Sequence, residues 1–426
     1  MPQLTRRRLI EMSGAAAATV ASGLATSAGP ARAAGSRTLT IGYVTPQTGP
    51  LAAFGETDTF VINAVRKVLA GGVAIGGTRY PVDIVVKDSQ SSSNRAGEVA
   101  ADLILKQKVD LMLVASTPET TNPVSDQCEL NGVPCISTVA PWQPWFFTRN
   151  GDPKKGFEWT YHFFWGLEDI IAVFTGMWPH VSTNKTVGGL YPNDGDGNAW
   201  GDPKLGFPGP LAAKGYKLVD PGRYQDLTTD FSAQIAAFKK GDVQILTGVP
   251  IPPDFKTFWT QAAQQGFKPK VASVGKALLF PSAVEAIGPS ALDLSSEVWW
   301  TPNHPFHSSL THQSCAELAA AYERTGKQWT QPLGFAHALL EVAVDVLKRS
   351  HDVDKKETIR DAIAETKLDT IVGHIAWTGA PVKNVAKTPL VGGQWIKGKK
   401  YPFDLIVVEN VTAPNIPAQG TLKPIA

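Results

Sequence analysis

The amino-acid sequence predicts an α/β fold in which parallel β-sheets are covered by helices on both faces. Short apolar runs rich in β-forming residues alternate with stretches of helical period, which is the pattern of a parallel sheet with crossover helices. The alternation restarts at residue 186, so we expect a second α/β unit there. With 426 residues, of which 43% are hydrophobic and 18% charged, the chain is long enough for two domains.

The first unit contains four predicted buried strands, at residues 39–44, 82–86, 110–115 and 134–137. Between them, residues 61–69 and 96–104 carry apolar side chains at i, i+3, i+4, i+7 and i+8, the spacing of an amphipathic helix. Near-continuous apolar strands that alternate with such helices favour a parallel sheet.

The second unit has predicted strands at 186–190, 243–248 and 271–274, with helical stretches around 231–238 and 255–264. A third, helix-rich region follows, and the tail from Pro389 onward offers one short strand candidate at 405–408. One continuous apolar stripe in the third region predicts a core helix. Its members are Phe335, Ala338, Leu339, Val342, Val346 and Leu347.

The first 33 residues are interpreted as a twin-arginine (Tat) signal peptide. Arg6 and Arg7 precede an Ala- and Gly-rich segment, and an Ala-x-Ala site ends at Ala33. The alternative is a basic cytosolic tail. Cleavage predicts a free periplasmic protein, and no later apolar run reaches the roughly 18 to 20 residues needed to span a bilayer.

The charge of the processed chain argues against nucleic acid or a membrane surface as partner. Removing four arginines and one glutamate with the signal changes the net charge from +2 to about −1. A nearly neutral chain has no global field to attract phosphates or anionic lipids. Three cysteines leave room for one disulfide, for which Cys128 and Cys135 are the candidates, and the sequence does not decide whether they form it.

The loops that follow the predicted strands are the candidate binding site, because open parallel sheets bind ligands beyond the carboxyl ends of their strands. Residues 45–55 form a Gly- and Pro-rich turn after the first strand. Residues 116–122 place several hydroxyls at a helix N-terminus, where they can receive a carboxylate. The alternative is that Thr121 or Asn122 only caps that helix.

Aromatic residues are concentrated in the same kind of position. The loop at 137–147 contains Trp142, and Trp200, Trp299, Trp300 and Trp329 also lie at predicted loop or strand ends. We expect some of these indoles to wall an apolar or aromatic solute, with core packing as the alternative for each one.

The sequence gives little support to an enzyme. It has no G-x-S-x-G, no Walker A loop and no G-x-G-x-x-G after a strand, so we expect no catalytic residues and no cofactor. Residues 194–205 imitate a calcium loop, but they have Ala199 and Leu205 where Gly and Glu are needed. His304, His307 and His312 lack helical phasing and are interpreted as a solvated loop, not as a metal site.

Several segments in order along the chain resemble the branched-chain amino acid-binding family of type I periplasmic solute-binding proteins, which serve ABC transporters. Residues 41–55 resemble the opening of that family, and Trp200-Gly201 stands where the family usually has Tyr-Gly. Residues 122–126, 132–137, 229–232 and 392–395 resemble further family elements. The match spans almost all of the processed chain.

The resemblance implies two Rossmann-like lobes joined by three crossovers, near Trp165, Trp300 and Trp377. The N-terminal lobe would comprise residues 34–165 plus 301–376, and the C-terminal lobe residues 166–300 plus 377–426. It also implies a monomer that closes on a solute like a Venus flytrap and delivers it to the permease subunits of an ABC importer. A periplasmic sensor or receptor subunit of the same fold is the alternative.

Two departures from the family bear on the solute. Pro141, flanked by Trp142, stands where a carboxylate-binding Thr is usual, and Gly275-Lys276 stands where an acid usually binds the α-ammonium. We therefore expect a small apolar or aromatic solute, with a carboxylate compatible with Lys276, and not a free branched-chain amino acid, unless Glu119 or Asp196 replaces the missing acid. A true amino acid binder is the alternative.

The expected ligand-binding residues are Phe54, Ser116, Thr117, Thr120, Val139, Ala140, Pro141, Trp142, Trp200, Pro250 and Lys276.

Overall fold

The structure is a computed structural model that describes residues 37–426. The predicted Tat signal, residues 1–33, lies outside the described residues. Two large sheets organise the rest of the chain, and helices cover both of them, which confirms the predicted α/β fold.

Seventeen strands are assigned within residues 37–426. In chain order they are β1 (Leu39–Thr45), β2 (Val73–Ile75), β3 (Thr78–Tyr80), β4 (Val82–Asp88), β5 (Leu111–Ala115), β6 (Cys135–Thr138), β7 (Thr160–Phe163), β8 (Thr186–Leu190), β9 (Lys217–Val219), β10 (Ile245–Gly248), β11 (Val271–Val274), β12 (Ser295–Val298), β13 (Lys367–Thr370), β14 (Gly373–Ala376), β15 (Val385–Ala386), β16 (Val391–Lys397) and β17 (Phe403–Glu409).

Thirteen α-helices accompany them in the described part of the chain. They are α1 (Asp58–Val68), α2 (Ser93–Leu105), α3 (Pro118–Asn131), α4 (Trp142–Phe147), α5 (Leu167–Met177), α6 (Gly195–Trp200), α7 (Pro208–Ala213), α8 (Ser232–Lys240), α9 (Pro252–Gln264), α10 (Pro281–Ile287), α11 (Cys315–Glu323), α12 (Pro332–Arg349) and α13 (Lys356–Ala364). A short 3₁₀ helix, Ala52–Gly55, follows β1.

The first sheet has six parallel strands in the order β15-β7-β6-β5-β1-β4. Helices α1 and α12 pack on one face, and α2 and α3 pack on the other. The predicted apolar stripe lies on α12, where almost every side chain is buried. Because both faces are covered, β5 and β6 are buried along their whole length.

The second sheet has seven strands in the order β17-β16-β12-β11-β10-β8-β9. Strands β8 to β12 are parallel, whereas β16 pairs antiparallel with both β12 and β17. The predicted strands at 186–190 and 271–274 coincide with β8 and β11, and the candidate at 405–408 lies inside β17.

The chain passes between the two sheets three times. It leaves the first sheet after β7, returns to pack on it after β12, and leaves again after β15. The third passage differs from the expected crossover near Trp377, because Val385 and Ala386 still pair with β7 in the first sheet. The chain enters the second sheet only at Val391, so residues 387–390 make the passage.

The cysteines are free thiols, and all three are buried. Cys128 on α3 and Cys135 on β6 lie in one apolar cluster, and burial together with their mutual contact raises the pKa of Cys128. The histidine loop is only partly as predicted. His307 and His312 are exposed, whereas His304 is buried and accepts a hydrogen bond from the backbone N–H of Thr301 at 3.0 Å.

No helix within residues 37–426 combines the length and the apolarity that a membrane span requires.

Candidate functional site

A small cavity of about 20 Å³ lies between the two sheets, at the carboxyl ends of their parallel strands. Side chains from both sheets nearly meet across it, so a solute with a ring would need the two walls to move apart. The position agrees with the rule that open parallel sheets bind ligands beyond the carboxyl ends of their strands.

The first sheet supplies one wall of the cavity, and each contributing residue follows a strand in the chain. Phe54 lies on the 3₁₀ helix after β1, and Thr117 lies between β5 and α3. The wall residues from this sheet are Phe54, Thr117, Val139, Pro141, Phe164 and Trp165.

The second sheet supplies the opposite wall in the same way. Asp196 and Trp200 lie on α6, directly after β8, while Lys276 and Leu279 follow β11. The wall residues from this sheet are Asp196, Trp200, Val249, Lys276, Leu279, Glu297 and Trp299.

Six of the eleven expected binding residues line this cavity: Phe54, Thr117, Val139, Pro141, Trp200 and Lys276. Four more are buried beside the lining without forming part of it, namely Ser116, Thr120, Ala140 and Pro250.

Trp142 is not part of the wall. Its indole N–H donates to Oε1 of Glu168 at 3.2 Å, and its ring packs against Phe146 and Phe147. The expected pair of stacking indoles, Trp142 and Trp200, therefore does not face one cavity. Because Trp142 is the first residue of α4, its side chain lies beside that helix and the start of α5.

The hydroxyl cluster after β5 also differs from the capping alternative. Thr117 is the N-cap residue of α3, and its side chain makes no capping hydrogen bond. Thr121 lies inside the helix and donates to the carbonyl of Ser116 at 2.9 Å, while Asn122 donates to Thr148 at 2.7 Å. Thr117 lines the cavity, and its hydroxyl has no hydrogen-bond partner within residues 37–426.

Aromatic rings dominate the walls. Phe54 contacts Phe280 edge to face at a centroid distance of 4.9 Å, which joins the two sheets across the cleft. Phe164 packs edge to face on Trp299 at 5.0 Å. Trp200 rests on Phe207, also at 5.0 Å. Rings held this firmly form rigid walls that suit a flat or apolar solute.

Lys276 is already paired. Its Nζ lies 2.7 Å from Oδ2 of Asp194 and 2.8 Å from Oδ2 of Asp196, and all three side chains are almost fully buried. Asp194 also caps α6, accepting a hydrogen bond from the N–H of Gly197 at 2.6 Å. The ion pairs raise the pKa of Lys276 well above its ordinary value although burial opposes this, so the ammonium stays charged.

A third carboxyl group, Glu297, extends this polar end of the cavity. Oε1 accepts a hydrogen bond from the backbone N–H of Lys276 at 3.2 Å, and Oε2 accepts one from the Ser296 hydroxyl at 3.0 Å. Burial nevertheless raises its pKa to about 7. Glu297 lies within β12 and not in a loop, so the rule that ligands bind in the loops after strands did not identify it.

Several polar atoms of the wall have no hydrogen-bond partner within residues 37–426. They are Thr117 Oγ1, Trp165 Nε1, Asp196 Oδ1, Trp200 Nε1 and Trp299 Nε1, and each belongs to a buried residue. Buried polar groups are normally paired, and an unpaired one costs roughly 1 to 3 kcal/mol. Their position in one cavity favours a polar partner there.

The backbone is strained at one residue of each wall. Val139 has φ of +75° and Lys276 has φ of +56°, a left-handed conformation that side chains with a Cβ rarely adopt. Strain of this kind is concentrated at functional sites in proteins, where surrounding structure holds it in place.

A larger cavity of about 770 Å³ lies elsewhere, against residues 305–307, 369–374 and 387–390. Phe306 is the one phenyl, phenol or indole ring in its lining, so no aromatic walls face each other across it. The small cavity between the sheets is therefore the candidate binding site.

Comparison with known proteins agrees with this geometry. A family model described as periplasmic binding protein matches residues 38–400. The chain belongs to the periplasmic binding protein family. This is a family of solute-binding proteins, and the predicted resemblance is confirmed at that level.

Solved structures show the same periplasmic binding protein fold. The leucine-binding protein LivK of Thermotoga maritima has a TM-score of 0.70 and 18% identity, over 88% of this chain and 99% of that one. LivJ of Streptococcus pneumoniae, in complex with isoleucine, has a TM-score of 0.68 and 16% identity, over 88% and 100%. A solute-binding protein of an ABC transporter from Rhodopseudomonas palustris BisB5, in complex with 3,4-dihydroxybenzoic acid, has a TM-score of 0.70 and 17% identity, over 88% and 99%.

Proposed function

We propose that this chain captures a small organic solute with an aromatic or apolar body between two lobes and delivers it to an ABC importer. The observation that carries the proposal is the cavity at the facing carboxyl ends of the two sheets, walled by rigid rings from both. A clamp of this kind binds its solute more tightly when closed, because only then do both walls make contact.

The proposed binding residues are the six expected ones in the wall together with those that the structure adds. From the first sheet these additions are Phe164 and Trp165, and from the second they are Asp196, Glu297 and Trp299. Val249 and Leu279 complete an apolar surface between the rings. One solved relative holds a benzoic acid derivative and another an amino acid, so the fold accepts either class, and the rings here favour the aromatic one.

We propose that each large sheet is the core of one lobe. The pairing of β15 with β7 supports a first lobe that extends through Ala386, and the residues from Val391 onward then belong to the second. Residues 164–166, the stretch after β12 and residues 387–390 would be the hinge. Closure would move the two rigid lobes about these three segments, as one monomer.

Small-angle X-ray scattering tests the clamp. Solutes are first found by a thermal-shift screen of the processed protein with amino acids, aromatic acids and amides, since a bound solute raises the melting temperature. The radius of gyration should then fall when the solute saturates the protein, and the solute should be recovered chemically unchanged. An identical scattering profile with and without solute, or an altered solute, contradicts the proposal.

The proposed location is the periplasm, reached through the Tat pathway by way of residues 1–33. Replacing Arg6 and Arg7 together with Lys should leave unprocessed precursor in the cytoplasm. The matched control is Arg8→Lys alone, which keeps the twin arginines. Normal export of the double variant removes the Tat interpretation without affecting the proposed solute binding.

A further inference from the structure

Carboxyl groups outnumber cations at one end of the cavity. One oxygen from each of Glu119, Asp194 and Asp196 lies within 4.8 Å of the others. Glu119 belongs to α3 beside the first sheet, and its Oε1 accepts a hydrogen bond across the cleft from the backbone N–H of Gly195 at 2.7 Å. Within the described residues, the ammonium of Lys276 is the one basic side chain that pairs with this cluster.

One ammonium cannot balance these acids. Lys276 bonds to Asp194 and Asp196, so Glu119 lies beside two carboxylates with no ion pair of its own within the described chain. Burial, with a smaller contribution from repulsion between the carboxylates, raises the pKa of Glu119 and raises that of Asp196 to about 7. Buried carboxylates in excess favour any ligand that brings positive charge to them.

Asp196 exposes this excess to the cavity. Its Oδ2 binds Lys276, whereas Oδ1 has no hydrogen-bond partner within residues 37–426, and the residue is 2% exposed. Thr117 and Trp200 line the same cavity from opposite walls, and the hydroxyl of the first and the indole N–H of the second are also unpaired within residues 37–426. A solute in the cavity can therefore donate to Asp196 while it accepts from the other two groups.

The remaining walls also suit a cation. Trp200, Trp299 and Phe54 present ring surfaces in the lining, and the faces of aromatic rings attract ammonium groups. An anionic group in the same place would meet an excess of carboxylates, and the Lys276 charge that could attract it is already neutralised by two ion pairs.

We infer that the solute carries a protonated amine and that Asp196 is the residue that receives it. This inference rests on the proposed function, because it assumes that the cavity holds the solute. Asp196 then takes the place of the acid that the sequence lacks after β11, and Lys276, paired with Oδ2, holds its carboxyl group in position.

Charge-matched solutes test the inference on the unaltered protein. Benzylamine, phenethylamine and tryptamine are compared by calorimetry with the alcohol and the carboxylate of the same carbon frame. We expect at least one amine to bind at least tenfold more tightly than both of its counterparts, since a hydrogen bond to a buried charge is worth that much. Equal or tighter binding of the alcohols or carboxylates overturns the inference while the proposed function stands. Binding by none of the nine overturns the inference, and unchanged scattering with every solute in the screen overturns the proposed function separately.

Variants then test the residue. Asp196→Asn should reduce amine affinity tenfold or more and should leave affinity for the matched alcohol within about threefold. Glu285→Gln is the matched control, because Glu285 is exposed on α10 and does not line the cavity. Circular dichroism and the melting temperature establish that both variants fold. If Asp196→Asn is unstable, Lys276→Met serves as the second variant. It removes the cation that competes with the solute for Asp196, so we expect a larger difference between amine and alcohol there. Equal losses for amine and alcohol in the folded variants contradict the role of Asp196.

Discussion

Trp200 and Trp142 show how two similar residues acquire different surroundings. Trp200 lies in the wall of the cavity, supported by Phe207, and its indole N–H is unpaired within the described chain. Trp142 lies at the start of α4, where Glu168 accepts its indole N–H. Only the first has both a ring surface and a hydrogen-bond donor to offer a solute.

Replacing Trp200 with Ala should weaken solute binding about tenfold or more, because the solute loses an aromatic contact and a hydrogen-bond donor. Trp142→Ala is the matched control and should change the dissociation constant by less than about threefold. Calorimetry with any solute that passes the thermal-shift screen measures both. A larger loss for Trp142→Ala than for Trp200→Ala would show that the wall is assigned incorrectly.

Asp58 is a buried acid beneath the first sheet. It accepts hydrogen bonds from the hydroxyls of Tyr43 and Thr45, yet burial raises its pKa from 3.8 to about 7. A carboxyl whose pKa is raised by folding binds a proton more strongly in the folded state. The stabilisation of the folded state by this bound proton is therefore complete below the ordinary pKa of the carboxyl group and is lost as the pH rises through about 7.

We expect Asp58→Asn to reduce the pH dependence of stability. The change in the free energy of unfolding between pH 5 and pH 8 should shrink by about 2 to 3 kcal/mol, since each pKa unit corresponds to about 1.4 kcal/mol. Urea unfolding at the two pH values measures this. Asp83→Asn, on the exposed part of β4, is the control and should leave the pH dependence unchanged. If the free energy of unfolding changes between pH 5 and pH 8 by the same amount in Asp58→Asn as in the unaltered protein, Asp58 is ionised at pH 5.

At the scale of elements, the strands and helices that follow a strong apolar pattern could be predicted. Apart from Leu190, residues 271–274 and 186–190 are β-branched or small, all of them are buried, and the structure has strands there. Strands β7 and β15 could not be predicted. Strand β7 has Tyr and His among its four residues, and β15 is only two residues long, so neither shows the apolar run that predicts a buried strand.

The candidate site was predictable to the level of loops but not of side-chain partners. The rule that ligands bind after parallel strands found Thr117 and Lys276. It could not show that Lys276 pairs with Asp194, 82 residues earlier, because that contact depends on how two distant loops pack. Asp196 and Trp299 were noticed in the sequence, but only the fold shows that both line one cavity.

Helix α12 is the central helix of the core that covers one face of the first sheet. Fifteen of its 18 residues are buried, and it packs on α1, α13 and the first sheet. Leu339→Ala should therefore lower the free energy of unfolding by about 2 to 5 kcal/mol through the cavity that it leaves. Lys348→Ala on the exposed side of the same helix should cost no more than about 0.5 kcal/mol. Denaturant unfolding compares the two, and equal effects would contradict the burial of the stripe.

For the whole molecule, buried ionisable groups predict maximal stability on the acid side of neutrality. Burial raises the pKa of five carboxyl groups to about 7, and these groups lose stabilising protons as the pH rises. They are Asp58, Asp196, Asp254, Glu297 and Glu341. Burial lowers the pKa of three histidines to about 3 or 4, and these favour the folded state increasingly as the pH rises to about 6.5. They are His162, His304 and His337.

Above about pH 6.5 the histidines are neutral in both the folded and unfolded states, so of these eight groups only the carboxyl groups still lose protons. The melting temperature should then fall between pH 6.5 and pH 8. Differential scanning calorimetry over that range tests this, with the Asp58→Asn variant showing a smaller fall. A melting temperature that rises steadily to pH 8 would contradict the raised pKa values.

The three passages between the sheets have a consequence for synthesis and folding. The first sheet is assembled from chain segments that end at Ala386, and the second begins at Thr186 and ends at Glu409. Neither sheet, with its covering helices, is encoded by one continuous segment of the chain. A ribosome must therefore complete almost the whole chain before the core around either sheet can form. Long-range strand pairing of this kind folds slowly, so the nascent chain spends longer with unpaired strand edges exposed. A chaperone could shield these edges until residue 409 has emerged. Such help would therefore matter more for this protein than for a protein whose domains follow one another along the chain.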